Sequence, residues 1–169
     1  KLREPVINLD INRHMLNAGK VLEEKGKITP GNKASQGSFH QIPYKDASFD
    51  LVNLGLALHM SKTKLRHKGK EIRERESTLR EINRVLRPGG YAIITLPCSQ
   101  NKKKAVISKQ NFSNFYKGLE QLGFEVLPFA GFYNGPKDSK FKVYLAGLRK
   151  TSEPTEEPLD EELLGWKMD

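Results

Sequence analysis

The stretch "REINRVLRPGGYAIITLP", Arg80–Pro97, decides the fold. Glu81, Arg84 and Arg87 suit a solvated helix face, while Ile82, Val85 and Leu86 recur at helical spacing and suit a buried one. Pro88 cannot continue a helix, and Gly89 or Gly90 can supply the left-handed turn that closes it. "YAIITL" is uncharged and rich in β-branched residues, so it reads as a strand buried on both faces, as in a parallel sheet. Helix, tight glycine turn and buried strand make half of an α/β unit.

Working outward, the flanking segments supply the other halves. "PVINLDIN" (Pro5–Asn12) reads as a buried strand ending in an acid, followed by a helix over Arg13–Gly26 with Met15, Leu16, Ala18 and Leu22 on one side. "KITPGNKASQGS" reads as a loop of turn formers. "FDLVNLGLALHM" (Phe49–Met60) opens as a buried strand. Residues 62–87 hold ten Lys/Arg and four acids; their first half reads as a mobile basic loop and their second as the helix of the opening. After "YAIITLP" come a second basic loop, "CSQNKKKAVISKQ", and an amphipathic helix, Asn111–Gly123. Two strand-like runs joined by "GPKDS" suit an antiparallel pair. The order predicts an α/β fold, mostly parallel with an antiparallel C-terminal strand pair. Residues 1–150 read as one domain, and 151–169 as an acidic, extended and flexible tail.

Charge is unevenly placed. The 169 residues carry a formal +9, yet Thr151–Asp169 hold seven acids and one lysine. The tail is thus −6 and the body +15. A body this basic predicts a polyanionic partner; a merely lysine-rich soluble surface is the alternative reading. A single cysteine, Cys98, gives no disulfide framework and points to a reducing compartment. No apolar run approaches the roughly 18 residues of a membrane span, and no signal peptide is visible. No zinc-type spacing, P-loop or Ser-His-Asp pattern stands out, so no metal is expected.

Three landmarks then resemble the class I S-adenosylmethionine-dependent methyltransferases. In "INLDINRHML" an acid ends a strand and a helix follows, with Asp10, Met15, Leu16 and Ala18 in the family's pattern. In "GSFHQIPYKDASFDLVNLGLALHM", Gly37, Pro43, Tyr44, Ser48, Phe49 and Asp50 match the approach to the family's fourth strand. The opening stretch is similar to its passage through Pro-Gly-Gly into the fifth. The resemblance covers roughly residues 5–150 and implies a Rossmann-like methyltransferase sheet with S-adenosyl-L-methionine as cofactor. The family's glycine-rich loop, which belongs upstream of Asp10, is not in this sequence. The N-terminal part of the fold is therefore expected to be missing, with a larger protein or complex as one source of it.

The resemblance assigns cofactor contacts to Asp10, Ile11, Ser38, Phe39, Asn53, Leu54 and Gly55. An acid at the carboxyl end of a parallel strand can accept hydrogen bonds from both ribose hydroxyls; a turn or helix-cap acid is the other reading of Asp10. Many members have Asp at the Ser38 position, whereas serine accepts a hydrogen bond without charge. Phe39 suits stacking on the base or the core equally. His59 is the candidate general base, or else a loop residue. Cys98 sits where RNA cytosine methyltransferases carry a nucleophile, but their second cysteine is absent, so a strand-end packing role is expected.

Lys62, Lys64, Arg66, Lys68, Lys102, Lys103 and Lys104 form two basic clusters leaving the carboxyl ends of strands, where α/β sheets bind ligands. They predict contacts to nucleic-acid phosphates. The function expected is therefore methylation of RNA, ribosomal or transfer, in the nucleus, nucleolus or cytoplasm. The alternatives are a methyltransferase acting on protein or a small molecule, and a degenerate methyltransferase fold serving as a binding module.

Overall fold

The computed structural model describes residues 6–27, 33–58, 64–67, 69–98, 112–134, 142–160 and 163–164. The chain divides into two compact units, Lys1–Pro43 and Tyr44–Asp169.

The first unit is a β-α-β turn. Strand β1 (Ile7–Asp10) leads into helix α1 (Arg13–Glu24), and β2 (Lys33–Gln36) returns parallel to β1, with Ile7 opposite Lys33 and Asp10 opposite Gln36. Asn12 caps α1 by accepting the His14 N–H, and Gly26 at φ 64° closes it in the left-handed region. β2 falls inside the stretch read as a loop; its residues, "KASQ", carry no apolar alternation to reveal it. The strand read as buried is only half-buried, and no α1 residue is buried; Met15 stays 60% exposed.

The second unit holds the core. Strand β3 (Phe49–Gly55) is followed by a hairpin of β4 (Lys64–His67) and β5 (Lys70–Arg73), then helix α2 (Glu74–Val85) and strand β6 (Leu86–Cys98). Helix α3 (Phe112–Gln121) precedes β7 (Phe124–Val126), β8 (Gly131–Asn134) and β9 (Lys142–Lys150). The main sheet runs β3-β6-β9-β7, with β8 also on β9. β3 and β6 are parallel, while β6, β7 and β8 all run antiparallel to β9. Four strands therefore point one way and the last strand points back. The mobile loop expected at 62–75 is in its described part an ordered antiparallel hairpin.

The opening stretch behaves differently from its first reading. α2 stops at Val85, and Leu86 is already extended at φ −76°, ψ 138°. Proline disfavours a helical conformation in the residue before it, which moves the helix end upstream of Pro88. Pro-Gly-Gly then forms a bulge within β6. Phe49 pairs with Leu86 and Leu51 with Tyr91, so the residues between Leu86 and Tyr91 loop out. Gly89 sits at φ 77°. A Cβ on Gly90 would lie 2.9 Å from the Arg87 carbonyl oxygen and 3.2 Å from that of Asp50. Arg87 Nη1 holds both Asp50 oxygens, at 2.8 and 2.9 Å, across the same bulge. Beyond it β6 alternates: Ala92, Ile94 and Leu96 are buried, while Tyr91 is 48% exposed. One face of this strand is thus in the core, rather than both. The buried side chains include Leu79, Ile82 and Val85 of α2, Phe115 and Leu119 of α3, and Tyr144, Ala146 and Leu148 of β9.

The acidic segment after Lys150 is extended, as its composition suggests, but its described residues lie in the second unit, against α2. Arg80 Nη1 donates to the Thr155 carbonyl at 2.6 Å and Nη2 to that of Glu157 at 2.7 Å. The same guanidinium pairs with Glu76 at 2.8 Å, and Glu76 accepts the Leu159 N–H. Arg75 donates to the Leu164 carbonyl at 3.3 Å. Leu164 is buried over Gly118 of α3, where an added Cβ would come within 2.9 Å of it. The boundary expected at residue 150 is therefore not where the chain divides. This docking also explains why α2, so rich in charge, buries Arg75, Glu76, Arg80 and Asn83.

Candidate functional site

In the first unit, the parallel pairing brings the carboxyl ends of β1 and β2 side by side. Gly37 N–H donates to the Asp10 carbonyl at 3.1 Å, and Gln36 Nε2 donates to the Ile11 carbonyl at 3.2 Å. Asp10 and Ile11 thus stand beside the segment that continues into Ser38 and Phe39. Four residues assigned from sequence to the cofactor share one edge.

Asp10 is not the helix cap; Asn12 is. Asp10 Oδ1 instead accepts the Asn12 N–H at 2.7 Å and braces the turn into α1. Among the described residues no hydrogen bond reaches Oδ2, so a positioned carboxylate oxygen remains at the strand end. Ile11 is 68% exposed at this edge. Ser38 Oγ accepts the His40 N–H at 3.2 Å and Ser38 bridges to Gln41, which makes residues 38–41 a tight turn. That turn keeps Phe39 half-buried, edge-on to His40 with ring centroids 4.3 Å apart. Gly37 lets the chain pass: a Cβ there would meet Leu9 Cδ1 at 2.9 Å and Pro43 at 3.1 Å. A fixed carboxylate, an exposed aliphatic side chain and an aromatic ring on one edge fit the adenosine half of S-adenosylmethionine.

In the second unit, Asn53, Leu54 and Gly55 occupy the carboxyl end of β3. Asn53 and Gly55 are exposed and Leu54 half-buried. Leu56 follows at φ 51°, its N–H donating to both the carbonyl and the hydroxyl oxygen of Thr95 at 3.1 Å. This ties the exit of β3 to β6 and leaves Gly55 in open space, with nothing nearer to an added Cβ than Thr95 Oγ1 at 3.9 Å. The turn entering β3 is equally fixed. Arg84 donates to the Tyr44 carbonyl and the Asp46 carboxylate, and its hydrogen bonds to Glu81 raise its pKa further above the usual arginine value. Tyr44 and Phe49 meet edge to face at 5.1 Å.

His59, Lys62, Lys68, Lys102, Lys103 and Lys104 lie outside the described residues. Lys64 and Arg66 stand exposed on β4 of the hairpin. Cys98 is the last residue of β6, at the strand end expected. Among the described residues no cluster of three His, Cys, Asp or Glu side chains could hold a metal, and no helix is long and apolar enough to cross a membrane. Sequence reasoning missed Asn12 and Gln36, which fix the Asp10 turn, and the Glu76–Arg80 clamp. The i,i+4 acid–base spacing was present for the last, but nothing local indicated what the clamp would hold.

A parallel strand pair with a carboxylate at one strand end and a tight turn on the neighbouring strand is an α/β arrangement. Comparison with known proteins makes this specific: residues 1–94 match the family described as "Methyltransferase domain", and the chain belongs to that family, within the class I S-adenosylmethionine-dependent methyltransferases. It is 31% identical over 113 residues to the demethylmenaquinone methyltransferase of Staphylococcus carnosus (strain TM300), covering 66% of this chain and 39% of that protein. It is 30% identical over 112 residues to the enzyme of the same name from Staphylococcus saprophyticus, covering 66% and 41%. The chain thus spans about two-fifths of the length of these curated relatives. Among solved structures it resembles the [4+2]-cyclase SpnF, with a TM-score of 0.61 at 16% identity over 87% of this chain and 67% of that one. A SAM-dependent methyltransferase of Methanosarcina mazei gives 0.58 at 14% identity over 88% and 83%. These two likenesses are of fold: a Rossmann-like methyltransferase sheet.

Proposed function

We propose that the protein carrying this chain transfers a methyl group from S-adenosylmethionine to a small-molecule acceptor of the demethylmenaquinone kind. The observation that carries the cofactor half is the shared edge of Asp10, Ile11, Ser38 and Phe39. Asp10 would accept the ribose hydroxyls, and Ile11 and Phe39 would flank the adenine. The bound cofactor supplies an activated methyl on a sulfonium, so the protein's task is to position the acceptor more than to move protons. The acceptor half is supported by the curated relatives' names. Those names give the RNA expectation no support. Methylation of RNA is kept as a second reading on one observation, the cationic hairpin that follows β3.

The test uses the full-length protein. Calorimetric titration with S-adenosylhomocysteine should show binding, and Asp10→Ala should weaken it about tenfold or more, as expected for a lost charge-assisted hydrogen bond of about 1.5–3 kcal/mol. Transfer of labelled methyl is then measured with demethylmenaquinone and with RNA as acceptors. Unchanged binding in Asp10→Ala would overturn the cofactor assignment. Binding without transfer to either acceptor would leave the fold as a binding module.

A further inference from the structure

The β4–β5 hairpin has two unlike faces. Residues alternate across a strand, and opposed residues share a side. Leu65 faces with its partner Ile72, which is only 4% exposed, and this face is the buried one. Lys64, opposite Arg73, and Arg66, opposite Glu71, make up the other face. That face carries three cations and one acid. Lys64 already engages the acid, with Nζ 3.3 Å from Glu71 Oε2. Among the described residues neither Arg66 nor Arg73 has a carboxylate within ion-pair distance.

Lys64 and Arg73 stand directly opposite each other, and like charges in that position destabilise a two-stranded ribbon. Just past the hairpin, burial and, to a lesser degree, the neighbouring charge of Arg73 lower the pKa of Arg75 to about 10. The sequence continues the theme: residues 62–73 hold six Lys/Arg against the one glutamate. The hairpin follows the carboxyl end of β3, the side of an α/β sheet where ligands bind. Its outer face has no apolar side chain to insert into a bilayer, because Leu65 and Ile72 are turned inward. A polymer of phosphates matches a repulsive row of cations better than a lipid surface does.

We propose that the outer face of this hairpin is a nucleic-acid contact surface, in which Arg66 and Arg73 neutralise backbone phosphates. Binding is independent of the methyl-transfer reading, since it needs neither cofactor nor acceptor chemistry. The test is fluorescence anisotropy of the full chain with a labelled single-stranded RNA oligonucleotide, without S-adenosylmethionine, from 50 to 200 mM salt. For single strands the slope of log affinity against log salt is about −0.7 per phosphate neutralised, so these two cations contribute about −1.4, or roughly a sevenfold loss over this range. Arg66→Gln should flatten the slope by about 0.7. Arg66→Gln with Arg73→Gln should flatten it by about 1.4. Lys117→Gln, an exposed cation on α3, should leave it unchanged. Arg66 is exposed, so the single variant keeps the fold, and an unchanged urea midpoint checks this. RNA binding with the parent slope in both variants overturns the proposal. So does absence of RNA binding; sedimentation on phosphatidylglycerol vesicles that Arg66→Gln abolishes would then make the surface a membrane one.

Discussion

Arg80→Ala is the sharpest test of how the chain's last segment is held. The Arg80 and Glu76 side chains are 8% and 3% exposed, and the pair closes at 2.8 Å. Removing the guanidinium leaves Glu76 buried with the Leu159 N–H as its remaining donor, at 3.2 Å. It also takes the Arg80 donors from the Thr155 and Glu157 carbonyls, the latter keeping the Thr155 hydroxyl at 3.4 Å. Breaking a buried pair by removing one partner costs about 3–5 kcal/mol, because the stranded charge has lost both water and counterion. The two carbonyls are part-buried and can turn to water, so they add little. With a urea slope of about 2 kcal/mol per molar, a loss of about 4 kcal/mol lowers the unfolding midpoint by about 2 M. Amide exchange at Leu159 should accelerate in step. The double variant Glu76→Leu with Arg80→Met removes both charges at similar volume and should recover much of the loss. A midpoint shift below about 0.5 M in Arg80→Ala, with Leu159 exchange unchanged, would refute the clamp.

Gly123→Ala should also destabilise the fold, by less than Arg80→Ala. Gly123 lies at φ 79°, and a Cβ would fall 2.2 Å from the Ser152 carbonyl oxygen, so the turn would have to open; overpacking on this scale costs about 1–3 kcal/mol, read by thermal unfolding. Lys150→Met keeps the stem of a side chain that is 4% exposed but loses its bonds to the Asn83 and Leu86 carbonyls and to Glu153. The Asn83 carbonyl keeps the Leu86 N–H, while the Leu86 carbonyl loses its Lys150 donor, and urea unfolding should show a loss of about 1–3 kcal/mol.

The fold was legible where a single local rule governed. Asp10 ahead of a periodic helix, Phe49–Asp50 opening β3, and Gly123 closing α3 each announce themselves through alternation or a breaker. The resemblance made the sheet's order readable from the same landmarks. What stayed hidden depended on distant parts of the chain. "KASQ" becomes β2 only because β1 offers it a parallel partner. The hairpin's charge suggested a solvated loop, yet Leu65 and Ile72 are its anchor. The bulge at Pro88–Gly90 cannot be separated by eye from a helix-ending turn, because both use the same residues for the same backbone freedom. At the candidate site, Asp10 was placed correctly at its strand end, but its bond to the Asn12 N–H rests on the turn's geometry rather than on composition. The tail misled most: its acids predicted detachment, while the groups that bind are its carbonyls, one N–H and Leu164.

That last point bears on how this protein tolerates change. Arg80, Glu76 and Arg75 grip main-chain atoms of residues 155, 157, 159 and 164, which every amino acid possesses save for proline's missing donor. Substitutions among the intervening acids should therefore drift freely between species, whereas a one-residue insertion or deletion between Thr155 and Leu164 would throw every grip beyond it out of step. Comparative alignment of orthologues would be expected to show this stretch as variable in letters and constant in length, the reverse of what is usual for an irregular segment.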